Sequence, residues 1–190
     1  MILSAHEIAK RLYESGCIND RSDGCIRNTP ANGCHDNGAP EGVADTNTPT
    51  NPSPAGGNDL IISPFSGECL QPASYDLRVA HDTVLPPGAC TLVPTLEWVE
   101  LPADLAATLR CRSSFGRKGV LIAAGFVDPG FRGQLTLCLI NMGAGGVPLY
   151  QHNRVVQMII HEVKGGNRLY EGRYQDSHGA IHSKEKSHIS

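Results

Sequence analysis

The stretch Arg112-Ser-Ser-Phe-Gly-Arg-Lys-Gly119, followed shortly by Gly125-Phe-Val-Asp-Pro-Gly-Phe-Arg-Gly133, is the starting point for interpreting this chain. Arginine side chains and hydroxyl groups hold phosphate oxygens through charge-assisted hydrogen bonds. A carboxylate placed beside them can take a proton from an attacking water. Because both stretches lie within about twenty residues, the pattern predicts a nucleotide site in which Asp128 lies near a polyphosphate.

The sequence on either side of this stretch predicts β-structure. Leu135, Leu137 and Leu139 alternate with polar or smaller residues, and Ala107 and Leu109 do the same. Strict alternation is typical of a strand with one buried face. Glycine and proline in 86–88, 128–130 and 143–146 predict turns between short strands. We therefore expect an all-β sandwich or barrel, with the turn at 128–130 at the tip of a hairpin and no second helix of any length.

The first residues predict one short helix. Ser4 and Glu7 form a capping box, and Leu3 and Ile8 have the spacing of a hydrophobic staple. The pattern predicts a helix over about residues 5 to 14.

Residues from about 17 to 58 have a different composition, rich in Asn, Asp, Gly, Pro, Ser and Thr. Such a segment cannot bury enough apolar area to offset the entropy of ordering it. We therefore expect one domain over 1–190, interrupted by a disordered surface insertion. Cys17, Cys25, Cys34 and His35 leave a zinc knuckle as an alternative, but they lack the paired C-x-x-C spacing that favours tetrahedral zinc.

Composition and charge narrow the class of protein. The chain of 190 residues has 40% hydrophobic residues and a formal charge of -3. The negative net charge argues against a nucleic-acid polymer as partner. No apolar run has the length of a membrane span, and the first residues lack the pattern of a secretory signal, so we expect a cytoplasmic protein. An odd count of seven cysteines then favours reduced thiols.

Five segments resemble, in order, the motifs of the dCTP deaminase and dUTP pyrophosphatase superfamily. They are Ser74-Tyr-Asp-Leu-Arg78, the two stretches quoted first, Asn153-Arg-Val-Val-Gln-Met-Ile-Ile160, and Tyr170-Glu-Gly-Arg-Tyr-Gln175. The resemblance extends from about residue 59 to about residue 183. It implies a distorted jelly roll or β-barrel of the β-clip type, a homotrimer with active sites at subunit boundaries, and Mg²⁺ bound through the phosphates of a deoxynucleoside triphosphate. A dense single-chain sandwich remains the alternative to the trimer.

The resemblance also assigns roles to individual residues. It makes Asp128 the catalytic group that orients the attacking water, and Asp76 a support of the metal and water network. Phe131 stands where many dUTP pyrophosphatases have a tyrosine that stacks beneath deoxyribose. The remaining substrate-binding residues that it implies are Arg112, Ser113, Ser114, Arg117, Arg154, Gln157, Tyr174 and Gln175. Arg154 and Gln157 are three apart, so without a bulge they point to opposite faces of a strand.

Cys138 separates the two activities of this superfamily. In dCTP deaminases a glutamate in the strand after the 125–133 stretch acts as general acid and base, and this chain has Cys138 at that position. An apolar setting keeps a thiol protonated, so it is a poor substitute. The sixteen-residue step from Arg112 to Asp128 also favours a pyrophosphatase, whereas the segment from Tyr174 onward resembles a deaminase tail. We therefore expect a dUTP diphosphatase; the alternatives are a dCTP deaminase and a nucleotide-binding regulator without turnover.

Overall fold

A computed structural model describes residues 1–14, 59–123, 125–165 and 168–185. The insertion predicted at 17–58 lies outside these residues. So do the cysteines and the histidine considered for zinc.

Eleven strands among the described residues form two main sheets and one small one. The four-stranded sheet has the order β1-β5-β9-β7, the five-stranded sheet has the order β2-β3-β11-β6-β8, and β4 pairs with β10. All pairs of strands are antiparallel. The bounds are β1 Ile61–Ser63, β2 Leu70–Gln71, β3 Ser74–Arg78, β4 Thr83–Leu85, β5 Cys90–Glu100, β6 Leu105–Cys111, β7 Val120–Ala123, β8 Phe126–Val127, β9 Arg132–Asn141, β10 Val147–Leu149 and β11 Arg154–Glu162.

The core lies between the two main sheets. Every second residue of β9, from Gly133 to Asn141, is buried, as the alternation of leucines predicts. Tyr75, Leu77 and Met158 of the opposite sheet are fully buried in the same core. The predicted all-β jelly-roll class is confirmed, in its open form: the described strands form open sheets and no closed barrel.

The predicted N-terminal helix is α1, Ala5–Glu14. The backbone N–H of Glu7 donates to Ser4 Oγ at 3.3 Å, which is half of the expected capping box. Ile8 and Leu12 are fully buried on one face of the helix. The expectation of no further helix needs a small correction, because a 3₁₀ turn at Gly67–Cys69 and one helical turn, α2 at Ser113–Gly116, also occur. In the parts of the chain that are described, no helix is long and apolar enough to cross a membrane.

The predicted hairpin around Asp128 is wrong. β8 pairs with β6 in the five-stranded sheet, whereas β9 pairs with β5 and β7 in the four-stranded sheet. The turn therefore crosses from one sheet to the other. The Phe131 N–H donates to the Asp128 carbonyl at 3.2 Å, and Gly130 has φ of 78°, as a type II turn requires. The Asp-Pro-Gly turn was predicted correctly. The sheet that β9 joins was not, because it depends on pairing with residues distant in sequence.

A buried ion pair joins β3 to β5. Glu97 is fully buried and accepts from both the backbone N–H of Arg78, at 2.9 Å, and its Nε, at 2.6 Å. The same guanidinium donates to the carbonyl oxygen of Pro64 at 2.6 Å. Burial raises the pKa of Glu97, and the contacts with Arg78 oppose that rise. This pair fixes the end of the strand that carries Asp76.

Candidate functional site

Asp76 on β3 organises the first of two groups of predicted site residues. Its side chain is fully buried, and Arg112 Nε lies 3.0 Å from its Oδ2 while Arg154 Nη1 lies 4.0 Å from the same atom. Burial raises the pKa of Asp76, and the two guanidinium groups, Arg112 first, oppose the rise. Arg112 also donates from Nη1 to the carbonyl of Arg154 at 3.0 Å. The carboxylate therefore holds two cations side by side at one end of the five-stranded sheet.

A bulge in β11 brings Arg154 and Gln157 to the same region. The register of β11 against β3 shifts between Arg154 and Val156, and Val155 and Val156 are both buried. An extra residue in one strand changes which face the following side chains occupy. Gln157 consequently pairs with Asp76, and its Nε2 donates to Ser74 Oγ at 3.3 Å. The bulge that the spacing required is present.

The serines of the first stretch lie on α2. Ser113 and Ser114 are exposed on this single turn, directly after Arg112, whose N–H donates to the Val155 carbonyl at 2.9 Å. Arg117 is the residue after the turn and is also exposed. We call the whole group the arginine cluster: Asp76, Arg112, Ser113, Ser114, Arg117, Arg154 and Gln157. It presents cationic and hydroxyl donors at one sheet end, which suits an anionic ligand.

Asp128 lies in a separate cleft of about 550 Å³. Its carboxylate is exposed, on the turn that leaves the five-stranded sheet. The cleft, called the Asp128 cleft below, is lined by Asp128, Pro129, Arg168, Leu169, Tyr170, Glu171 and Gly172. Phe131 forms the floor of this turn, only 8% exposed, with the ring of Tyr170 edge-on at 5.6 Å.

The second wall of the cleft is formed by residues 168–172, the first part of the segment 168–185, which we call the strap. The Tyr170 N–H donates to the Pro129 carbonyl at 2.7 Å. A Cβ on Gly130 would lie 2.7 Å from Leu169 Cβ, and one on Gly133 would lie 2.9 Å from the Ser177 backbone nitrogen. The glycines of the 125–133 stretch therefore allow the strap to approach, besides making a turn.

Tyr174 and Gln175, both predicted to bind substrate, have their polar groups engaged within the chain. Gln175 Nε2 donates to the Gly130 carbonyl at 2.8 Å, and its Oε1 accepts from the Arg132 N–H at 3.0 Å. Tyr174 Oη accepts from the Lys184 N–H at 3.1 Å. In this chain Gln175 holds the strap against the turn that carries Asp128, whereas the hydrogen bond of the Tyr174 hydroxyl lies within the strap.

One chain does not bring the arginine cluster and Asp128 together. Val127 pairs with Ala107 in antiparallel register, which places Asp128 level with Ala106. Arg112 follows the other end of β6. At about 3.3 Å per residue, the two lie roughly 20 Å apart along the strand. A base must be within hydrogen-bond reach of its water, so the two groups cannot act on one bond from within a single chain.

Cys138 is half-buried on β9, opposite Leu92 of β5 and Ala123 of β7. Burial, and secondarily the nearby thiol of Cys90, raises its pKa. The direction agrees with the expectation that this thiol stays protonated. Cys90 itself is exposed.

Sequence reasoning missed Arg168 and Glu171, which share the cleft with Asp128. Arg168 lies just before the quoted segment Tyr170–Gln175, and Glu171 lies within that segment but received no role from the resemblance. Their position follows from the strap's fold over the turn, so a signal was available only in the glycines that make the close approach possible.

The arrangement also bears on where a divalent cation could bind. Among the described residues no three His, Cys, Asp or Glu side chains are grouped as metal ligands. However, neither buried oxygen of Asp76 receives a well-formed hydrogen bond from the described residues. Mg²⁺ usually keeps several of its waters and takes few protein carboxylates. Asp76 therefore fits a role of accepting hydrogen bonds from waters around a phosphate-bound cation.

Comparisons with known proteins place the chain in a family. The model of the dCTP deaminase-like family matches residues 78–163. A dCTP deaminase of Pyrococcus horikoshii is 38% identical over 144 residues, covering 67% of this chain and 92% of that protein. A dUMP-forming dCTP deaminase of Methanopyrus kandleri is 32% identical over 167 residues, covering 67% and 85%. The native EIAV dUTPase structure gives a TM-score of 0.47 at 24% identity, covering 55% of this chain and 88% of that one. Because the chain is 38% identical to the Pyrococcus horikoshii protein and covers 92% of its length, the chain belongs to the dCTP deaminase-like family.

Proposed function

We propose that this protein hydrolyses dUTP to dUMP and pyrophosphate. The observation that carries the proposal is Cys138, a half-buried thiol of raised pKa where the family resemblance leads us to expect a deaminase's glutamate. A protonated thiol in an apolar setting is a poor proton shuttle at cytosine C4. Hydrolysis of a phosphate chain needs a positioned base and cationic donors, and Asp128 and the arginine cluster offer both.

In the proposed reaction Asp128 accepts a proton from a water as the water oxygen attacks the α-phosphorus. The bond between the α-phosphorus and its bridging oxygen breaks, and pyrophosphate leaves with the electron pair. Arg112 and Arg154, paired by Asp76, hold the negative charge of the phosphates, assisted by Ser113 and Ser114. Mg²⁺, bound through the phosphates and waters beside Asp76, would add positive charge to the triphosphate.

We further propose that each site is built by two copies of the chain in a homotrimer. The roughly 20 Å between Asp128 and Arg112 along β6 supports this. A cyclic oligomer brings different surfaces of neighbouring copies together. The arginine cluster of one copy can then face the Asp128 cleft of the next.

Deamination of dCTP is the second candidate function. It is favoured by the relatives, whose names record dCTP deaminases, one of them dUMP-forming. In that case another group would have to transfer the protons that the glutamate transfers in dCTP deaminases.

The test is to incubate the purified protein with dUTP and, separately, with dCTP, and to assay pyrophosphate and ammonia independently. We expect pyrophosphate from dUTP and no ammonia from dCTP. Ammonia from dCTP would refute the hydrolase assignment. Release of neither pyrophosphate nor ammonia would favour a nucleotide-binding regulator.

Cys138→Ala provides a matched control. If the thiol has no part in chemistry, this variant keeps the rate of pyrophosphate release from dUTP. If the wild-type protein releases ammonia from dCTP and Cys138→Ala does not, the thiol takes part in deamination.

A further inference from the structure

The Asp128 cleft has an unfavourable charge for a nucleotide. Asp128 and Glu171 line it with two carboxylates, and Arg168 is the one cation among its lining residues. A deoxynucleoside triphosphate is a polyanion, so two carboxylates at a few ångströms oppose its approach. Asp128 acts as a base only in its ionised form. A cation on the same side of the site would therefore offset its repulsion of the phosphates.

The strap places Arg168 there by specific contacts. The Tyr170 N–H donates to the Pro129 carbonyl at 2.7 Å, and Leu169 packs on Gly130. These contacts hold the strap backbone next to Arg168 against the turn that carries Asp128. Arg168 is exposed at the cleft. An exposed guanidinium on a fixed backbone is available for an incoming ligand.

We propose that Arg168 is a substrate-binding residue that contacts the phosphate chain from the Asp128 side of the site, and that Glu171 opposes binding by its charge. This rests on the proposed function, since it assumes an anionic nucleotide in the cleft. It adds a cation from the strap to those of the arginine cluster. The resemblance already implies substrate contacts for Tyr174 and Gln175 of the strap, and this proposal adds Arg168 to them.

The experiment measures the dissociation constant of a non-hydrolysable α,β-imido analogue of dUTP by calorimetry at low and moderate salt. Arg168→Gln should weaken binding about tenfold, the scale of one charge-assisted hydrogen bond. Glu171→Gln should tighten binding by about twofold, the scale expected of a partly screened charge. A structural role of the strap would not shift the two variants in opposite directions.

Arg173→Gln is the matched control. It removes the same charge from the same strap, but Arg173 Nη1 donates to the Lys184 carbonyl at 2.8 Å and does not line the cleft. Its binding should equal that of the wild type. Arg168→Lys should recover part of the affinity lost in Arg168→Gln.

The outcomes separate this inference from the proposed function. Failure of the wild-type chain to bind the analogue would refute the proposed function. Unchanged affinity in Arg168→Gln, with the wild type binding normally, would overturn the assignment of Arg168 alone. Weaker binding in Glu171→Gln would also overturn it, because it would show that the charge of Glu171 does not oppose the ligand.

Discussion

Mixed oligomers of two inactive variants test the shared site directly. Asp128→Asn removes the proposed base, and Arg112→Gln removes a cation at the other end of β6. Each variant alone should retain about 1% of turnover or less, on the scale of losing a positioned base or phosphate donor. Because the two residues lie roughly 20 Å apart within one chain, the proposed site takes them from different copies.

The expected recovery follows from counting. In a random equal mixture, a site is intact when one copy supplies Asp128 and its neighbour supplies Arg112, each with a chance of one half. About one quarter of all sites are then complete in closed rings, and about one third in mixed trimers once rings of a single variant are removed. Pyrophosphate release from dUTP should rise about 25-fold or more above either variant alone.

The assay uses the two variants with different affinity tags, refolded together and isolated through both tags. A mixture of Asp128→Asn with the double variant Asp128→Asn/Arg112→Gln is the control, because none of its sites can be complete. Arg112 pairs with buried Asp76, so a variant with both Ser113→Ala and Ser114→Ala repeats the experiment with exposed residues. Doubly tagged oligomers with no recovery in either pairing would refute the shared site.

Three other perturbations test the rest of the structure. Glu97→Ala leaves the Arg78 guanidinium buried without its partner and should cost about 3–5 kcal/mol of unfolding free energy in urea; a change below about 1 kcal/mol would contradict the importance of that pair. Gly133→Ala brings a Cβ to 2.9 Å from the strap backbone, so limited trypsin digestion should release strap peptides sooner, and an unchanged digest would argue against the docking. Burial raises the pKa of the Cys138 thiol, so mapped iodoacetamide labelling at pH 7 should modify exposed Cys90 before Cys138, and labelling of Cys138 should increase as the pH is raised. Equal labelling of the two thiols at pH 7 would contradict a raised pKa.

The sequence predicted the fold class and the strands around the site because their signals are local. Alternating leucines specify β9, and a capping box with a hydrophobic staple specifies α1. The hairpin at Asp128 was predicted wrongly for the opposite reason. Asp-Pro-Gly specifies a turn, but the partner of the following strand is chosen by residues far away in sequence.

The candidate site divides in the same way. Motif order alone identified Asp128 and the arginine cluster, since each motif contains the residue types that bind phosphate or activate water. From their spacing, Arg154 and Gln157 could face the same side only if a bulge lay between them, and β11 has that bulge. Arg168 and Glu171 received no role from the sequence, because only the path of the strap brings them to the cleft.

By itself the sequence determined the family, the all-β class and the residue types available for chemistry, because these depend on short-range pattern and spacing. Only the tertiary structure decided which of those residues meet. Pairing of β8 with β6 separates Asp128 from Arg112 by the length of a strand, while burial of Asp76 draws Arg112 and Arg154 together. The physical reason is that strand register and ion pairing act between residues distant in sequence, and their energies depend on the packed sheet as a whole.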